Sequence, residues 1–231
     1  RDKAMDSHIG AAGVQPGAIW INKTGRRFAN EGTAENIGDI GPLYGKQPDG
    51  IVWSVLDQAN IDRLAENGSE ISIGEFVVFG RPLDRLRMEL DQDVADGVAF
   101  AANTPEELAE KIGVSPENFA ATVAAYNEAC AAGDDKEFFK QEKYLRPLSI
   151  PPFYAVALAT GTMGSAGGIR INGNMQVVDK DYEPIPGLYA VGLDATGLYG
   201  DSYNMEVPGA ANGFAHTSGR IAGRHFAAQQ A

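Results

Sequence analysis

Two phenols, Tyr199 and Tyr203, stand four residues apart in a glycine-rich stretch that runs from Gly192 to Gly209. A phenol held in such a loop can give its proton to a forming enolate, or polarise a carbonyl by hydrogen bonding to it. A plainer role is also open to both: the ring packs and the hydroxyl faces water. On either side of them lie features suited to a ligand. The apolar run Leu188 to Val191 ends at Gly192, where backbone can approach a bound group. The small-residue helix after Gly209 would present free N–H groups and the positive end of its dipole to an electron-rich edge.

Other chemistries find no support. His8, His216 and His225 have no Cys or His partner at ligand spacing, so no metal site is expected. Asp91, Asp93 and Asp96-Gly97 imitate a calcium loop, but the glycine is one place late and the twelfth position is Ala102, so the segment reads as charged surface. Gly45-Lys46 is followed by Gln47, which excludes a phosphate loop, and no Gly-x-Ser-x-Gly elbow occurs. Among 28 glycines no two are two positions apart, so the chain has no Gly-x-Gly-x-x-Gly fingerprint of its own. Cys130, the single cysteine, reads as a buried structural thiol.

The elements that must position these residues can be read in turn. A strand over Ala18 to Asn22 leads into a turn at Lys23 to Arg26. Asn36 to Gly50 reads as loop, Ile51 to Leu56 as strand, and Gln58 to Glu66 as a helix closed by Asn67-Gly68. Thr104-Pro105-Glu106-Glu107 and Ser115-Pro116-Glu117 open two further helices, which stop at Gly113 and Gly133. From Pro151 the texture changes. Phe153 to Leu158 is a strand, Ile169 to Ile171 and Met175 to Val178 form a hairpin around Asn172-Gly173, Leu188 to Val191 is a buried strand, and a helix runs from Ala210 to about Ala228.

At 231 residues the chain can bury a core without disulfides or metals. Its net charge of −12 would repel a phosphate backbone, which excludes nucleic acid as a partner. Between Asp84 and Glu142 there are 14 acids and 5 bases, which predicts a solvated acidic face. No apolar run is long enough for a membrane span.

From Pro152 onward the motifs become specific. Pro152-Phe153-Tyr154-Ala155, Gly167 to Asn172, Gln176 to Asp179, Ile185 to Gly192 and Gly219 to Gly223 follow in an order that resembles the C-terminal half of the FAD-dependent fumarate reductase and succinate dehydrogenase flavoprotein superfamily, which includes 3-ketosteroid dehydrogenases and urocanate reductases. Upstream, Ile21 to Glu31 is similar to the entry into that family's mobile cap, and Thr122 to Asn127 with Ala132 to Asp135 to the cap's end. The resemblance implies an α+β fold: a connection from the flavin domain over 1–29, a cap over 30–150, and the C-terminal segment of an α/β FAD-binding domain over 151–231. It also implies a fragment that would need an N-terminal FAD-binding segment as partner, with FAD held weakly or not at all by this chain alone.

By the same resemblance, Gly192, Asp194, Asn212, Gly213 and Phe214 would contact the flavin, and Gly168, Gly209 and Ala210 the substrate. Tyr203, followed by Pro208-Gly209, is similar to the tyrosine and glycine before the last helix of ketosteroid dehydrogenases, making Tyr203 and Tyr199 the catalytic candidates. The pattern breaks at three fumarate-binding places. Glu35 stands where fumarate reductases carry a proton-donating arginine, Gly164 where they carry a histidine, and the loop Gly200 to Pro208 is about five residues longer and lacks their second arginine. A dicarboxylate clamp needs such charge-assisted bonds. The expectation is an oxidoreductase that reduces or forms an activated carbon-carbon double bond in a small molecule other than fumarate. The alternative is a cap-like binding module that has lost flavin.

Overall fold

The computed structural model describes residues 7–72, 77–161, 167–200, 203 and 207–230, and the chain divides into two units, 1–160 and 161–231. The first unit is built on a four-stranded antiparallel sheet. Strands β1 (Ile19–Asn22), β2 (Val52–Asp57), β3 (Ala99–Ala102) and β4 (Phe153–Leu158) lie in the order β1-β2-β4-β3, with Ile19 opposite Val55 and Ser54 opposite Val156. Alternation along the strands feeds two cores. Trp20, Val52, Leu56 and Tyr154 face one side, while Ile19, Ile21, Val55, Phe153 and Ala155 face the other.

The first core is covered by helices α1 (His8–Gly13), α2 (Ile37–Gly45), α3 (Gln58–Asn67) and α4 (Leu86–Ala95). The second is covered by α5 (Pro105–Ile112) and α6 (Pro116–Ala132), which the capping signals foretold. Thr104 and Ser115 accept hydrogen bonds from Glu107 N and Asn118 N, and Gly113 and Gly133 close the helices in the left-handed conformation. Four expectations need correction. Asn36 to Gly50 is not loop throughout, since it holds α2, with Pro42 inside it. The calcium-like acidic segment is helix α4 followed by β3, and its Asp93 is buried. Asp135 is buried too, so the acidic stretch is not all solvated face, and Cys130 is half-buried at the edge of the second core.

The second unit is small. Strand β5 (Ile169–Arg170) pairs in parallel with β8 (Ala195–Thr196), and β6 (Gln176–Val178) pairs antiparallel with β7 (Pro184–Tyr189). The expected hairpin is reduced to one bridge, Ile171 to Val177, because β6 takes β7 as its main partner. The expected buried strand Leu188 to Val191 is also corrected. The strand is β7, it ends at Tyr189, and it is exposed along most of its length, with only Ala190 after it buried. Val177, Ala190 and Ala195, packed with Ile171 and Phe214, form the core of this unit. Helix α7 (Ala210–Gln229) completes it.

Candidate functional site

Gly192 carries φ +62°, a conformation that glycine adopts without a Cβ penalty, and it opens the short 3-10 turn Gly192–Asp194. Its N–H donates to Ser218 Oγ at 2.9 Å, and that hydroxyl in turn donates to Phe214 O at 2.6 Å. Ser218 is fully buried and so pins α7 to the turn. Sequence reasoning missed Ser218, which carries no motif; a serine on the buried face of a glycine- and alanine-rich helix is the only signal. On the other side of the turn, a Cβ added at Gly168 would stand 2.5 Å from Asp194 O, so only glycine lets β5 and β8 run together there. The backbone of Asp194 is thereby fixed, while its side chain faces solvent.

The N-terminus of α7 gathers the second group. Gly209, in the left-handed region at φ +76°, precedes a helix with no ordinary side-chain cap. Ala210 N donates to Val207 O at 3.1 Å, and Ala211 N donates to Tyr203 Oη at 3.3 Å. The first-turn donors are therefore not all free, a correction to the sequence reading, and Tyr203 is what serves as the cap. The Tyr199 and Tyr203 rings lie 5.0 Å apart, tilted by 45°. The Tyr199 hydroxyl is shielded from water and finds no well-aligned partner among the described residues. Removal from solvent and the neighbouring Tyr203 phenol raise its pKa. Asn212 and Gly213 are exposed on the same first turn, and a Cβ at Gly209 or Gly213 would meet no atom within 4 Å.

The predicted residues thus fall into two clusters joined by α7. Gly168, Gly192 and Asp194 meet at the turn that Phe214 and Ser218 hold, and Tyr199, Tyr203, Gly209, Ala210, Asn212 and Gly213 surround the helix start. Gly164 and part of the loop, residues 201, 202 and 204–206, lie outside the described residues. The geometry fits the ring end of a flavin in two respects: among the described residues, open space lies at Gly209 and Gly213, and a 20-residue helix directs its N-terminus there. It offers nothing for a pyrophosphate, since no Gly-x-Gly exists in the sequence.

In the first unit, the Ile21 to Glu31 segment contributes to a buried charge network. Glu31, with no exposed surface, accepts from Trp20 N (3.0 Å), Arg27 Nε (3.0 Å) and Arg27 Nη2 (2.8 Å), and Lys140 Nζ lies 3.3 Å away. Arg27 also reaches Asp135 at 2.9 Å, across 108 residues of sequence. Burial pushes the Glu31 and Asp135 carboxyls up, but the surrounding cations outweigh it and both remain below the ordinary carboxylate range. Burial holds Lys140 below its usual value despite Glu31. Glu35 lies outside this network. It accepts hydrogen bonds from the Tyr144 hydroxyl and from Lys143 Nζ, and these two, the phenol first, lower its pKa.

A family model described as "FAD binding domain" matches residues 4–209. The chain is 38% identical over 220 residues to a vinyl phenol reductase of Lactiplantibacillus plantarum, covering 94% of this chain and 44% of that protein. It is 33% identical over 236 residues to a 4-oxocyclohexanecarboxylate 2-dehydrogenase of Sinomonas cyclohexanicum, covering 94% of this chain and 38% of that one. Among solved structures it resembles a 3-ketosteroid delta1-dehydrogenase from Sterolibacterium denitrificans, with a TM-score of 0.70, 25% identity, and coverage of 95% of this chain and 40% of that chain. The chain spans less than half the length of these relatives. The collinear motifs, the glycine turn pinned to α7 and the family match lead to one conclusion: this chain belongs to the FAD-binding oxidoreductase family of the fumarate reductase and ketosteroid dehydrogenase flavoproteins.

Proposed function

We propose that the chain is the cap and flavin-ring portion of an FAD-dependent oxidoreductase that reduces or forms a carbon-carbon double bond next to an electron-withdrawing group. The cap spans about 30–150, preceded by a connection over 1–29, and residues 151–231 are the C-terminal segment of the flavin domain. Gly192, Asp194, Asn212, Gly213 and Phe214 would hold the flavin, with Gly168, Gly209 and Ala210 at the substrate. When bound, FAD supplies or takes up the hydride. The observation that carries the reading is Tyr203. Its oxygen accepts from Ala211 N, which holds the phenol at the helix start with a hydroxyl proton to donate. Tyr199, packed beside it with a raised pKa, stays protonated and keeps the Tyr203 ring in place.

The names of the curated relatives support a double bond as the reacting group: a vinyl phenol, a cyclic ketone, and in a further relative of Vibrio harveyi, acrylate. Fumarate is not the substrate in this reading. Glu35 is not the bare repelling charge expected from sequence, since Lys143 and Tyr144 engage it, but that pairing leaves Lys143 committed to Glu35 instead of to a substrate carboxylate. Partners in the complete enzyme would be the N-terminal FAD-binding segment and a small molecule.

The test is Tyr203→Phe in the complete flavoprotein. Product formation should fall by roughly 10² to 10⁴-fold while flavin reduction by an artificial donor persists. The variant also loses the Ala211 cap, about 1 kcal/mol, which thermal unfolding would register separately. Equal turnover in the Phe variant would remove Tyr203 as proton donor. A complete protein that retains no FAD would support the flavin-free binding module instead.

A further inference from the structure

Polar side chains fasten helix α7 to the rest of the second unit at two points. Towards its start, the buried Ser218 hydroxyl accepts from Gly192 N at 2.9 Å and donates to Phe214 O at 2.6 Å, with Ala215 O at 3.2 Å. Towards its end, His225 Nδ1 lies 2.8 Å from the Tyr189 hydroxyl, and the two rings meet edge to face at 5.9 Å. Ser218 and His225 are seven residues apart, which is two turns, so both points lie on one face of the helix. Together they fix the direction of its axis. Ala210 stands 15 residues ahead of His225, about 22 Å along the axis. A swing of about 3° around the rear contact would therefore move the helix start by roughly 1 Å. Ser218 acts on the bend as well, because a serine that bonds back to the carbonyl four residues earlier bends its helix slightly.

We propose that Ser218 is a positioning residue: its hydrogen bonds to Gly192 and Phe214 aim the N-terminus of α7 at the open space beside Gly209 and Gly213, and so set how strongly the helix end stabilises a reduced flavin there. The proposal rests on the reading of this segment as the flavin-ring portion of the enzyme. Ser218 has no exposed surface, so it acts through α7. The reduced flavin is the more electron-rich form, and it is the form that the positive end of a helix favours.

Two measurements separate aiming from a merely structural role. In the 231-residue chain, Ser218→Ala should speed exchange of the Gly192 amide, as any loss of that bond would. Aiming adds a second effect: the amide resonances of Ala211, Asn212 and Gly213 should shift, although none of them bonds to Ser218, while α7 stays helical. In the complete flavoprotein the same change should lower the ratio of reduced to oxidised flavin at a fixed potential by up to about 10-fold, or about 30 mV for a two-electron couple, with FAD still bound. Ser218→Cys nearly keeps the side-chain volume but bonds weakly, so it should match Ser218→Ala in both measurements. Amide changes confined to Gly192 and residues 214–218, an unchanged flavin potential, or a Cys variant that behaves as the unaltered protein would each overturn the proposal. A complete protein that retains no FAD would overturn the flavin reading, and the amides would then decide the aiming of α7 by themselves.

Discussion

Substituting Glu31 by Gln tests whether the first unit is held by its buried charges. The change preserves shape and one carbonyl, so Trp20 N and Arg27 Nε, which share Glu31 Oε1, keep their acceptor. The other oxygen becomes an NH2 group that faces Arg27 Nη2 and Lys140 Nζ, now 2.8 and 3.3 Å from a carboxylate oxygen. Breaking a buried ion pair costs 3 to 5 kcal/mol in general, roughly. Here the lower end applies, about 3 kcal/mol, because Arg27 keeps Asp135 and Lys140 keeps Ala18 O and Tyr126 Oη. With a urea slope of about 2 kcal/mol/M the midpoint should drop by roughly 1.5 M. Both tryptophans, Trp20 and Trp53, lie in the first unit, so their fluorescence reports on its unfolding alone. The pH dependence adds a second reading. Without Glu31 the charged form of Lys140 is disfavoured further in the folded state, so its folded pKa lies still further below its unfolded value. Between the two, the unfolded chain binds more protons, and stability rises with pH. The gap between the unaltered chain and the variant should therefore narrow from pH 7 towards pH 9. On the acid side the depressed carboxyls work the other way: their contribution is complete above the ordinary carboxylate range and is lost as pH falls through their lowered folded pKa values. A loss under about 1 kcal/mol at pH 7, or a gap that does not change with pH, would refute the assignment of the network as the first unit's main fastening.

Three further outcomes follow from the second unit. Gly168→Ala would place its Cβ 2.5 Å from Asp194 O, so the β5–β8 pairing should part and amide exchange at Ile169 and Ala195 should accelerate; unchanged protection would contradict the close approach. Ser218→Ala leaves Gly192 N without its acceptor and should cost about 1 to 3 kcal/mol, read as faster exchange of the Gly192 amide with little change in the first unit. The chain alone should release FAD on gel filtration, and a yellow preparation with stoichiometric FAD would show that the flavin needs no further segment.

What could be read from sequence was what local chemistry dictates. Thr104, Pro105 and Gly113, and Ser115, Pro116 and Gly133, each satisfy the orphan groups of their own helix, so α5 and α6 were visible without any tertiary knowledge. Helix α4 was hidden because it begins at Arg85 with no side-chain cap and buries only Leu86, Leu90 and Asp93 among charged neighbours. Helix α2 was hidden by Pro42 and its glycines, and it forms because Ile40 and Tyr44 pack into the first core. The candidate residues around Gly192 and Gly209 were legible through motif order. The group that fixes Gly192 was not, since Ser218 acts across 26 residues that spacing does not encode. In the first unit the Arg27 to Asp135 pair was hidden for the same reason, across 108 residues.

The contact between Ala211 N and Tyr203 Oη makes a loop residue the stopper of a helix. Order in the loop and order in the first turn of α7 then become a single equilibrium: anything that draws the Tyr203 hydroxyl towards a guest removes the acceptor from Ala211 and frays the turn by one residue. The Ala211 amide is therefore a built-in reporter. Its proton chemical shift and exchange rate should register ligand arrival in the loop directly, in a part of the chain that contains no tryptophan and is otherwise optically silent apart from its tyrosines.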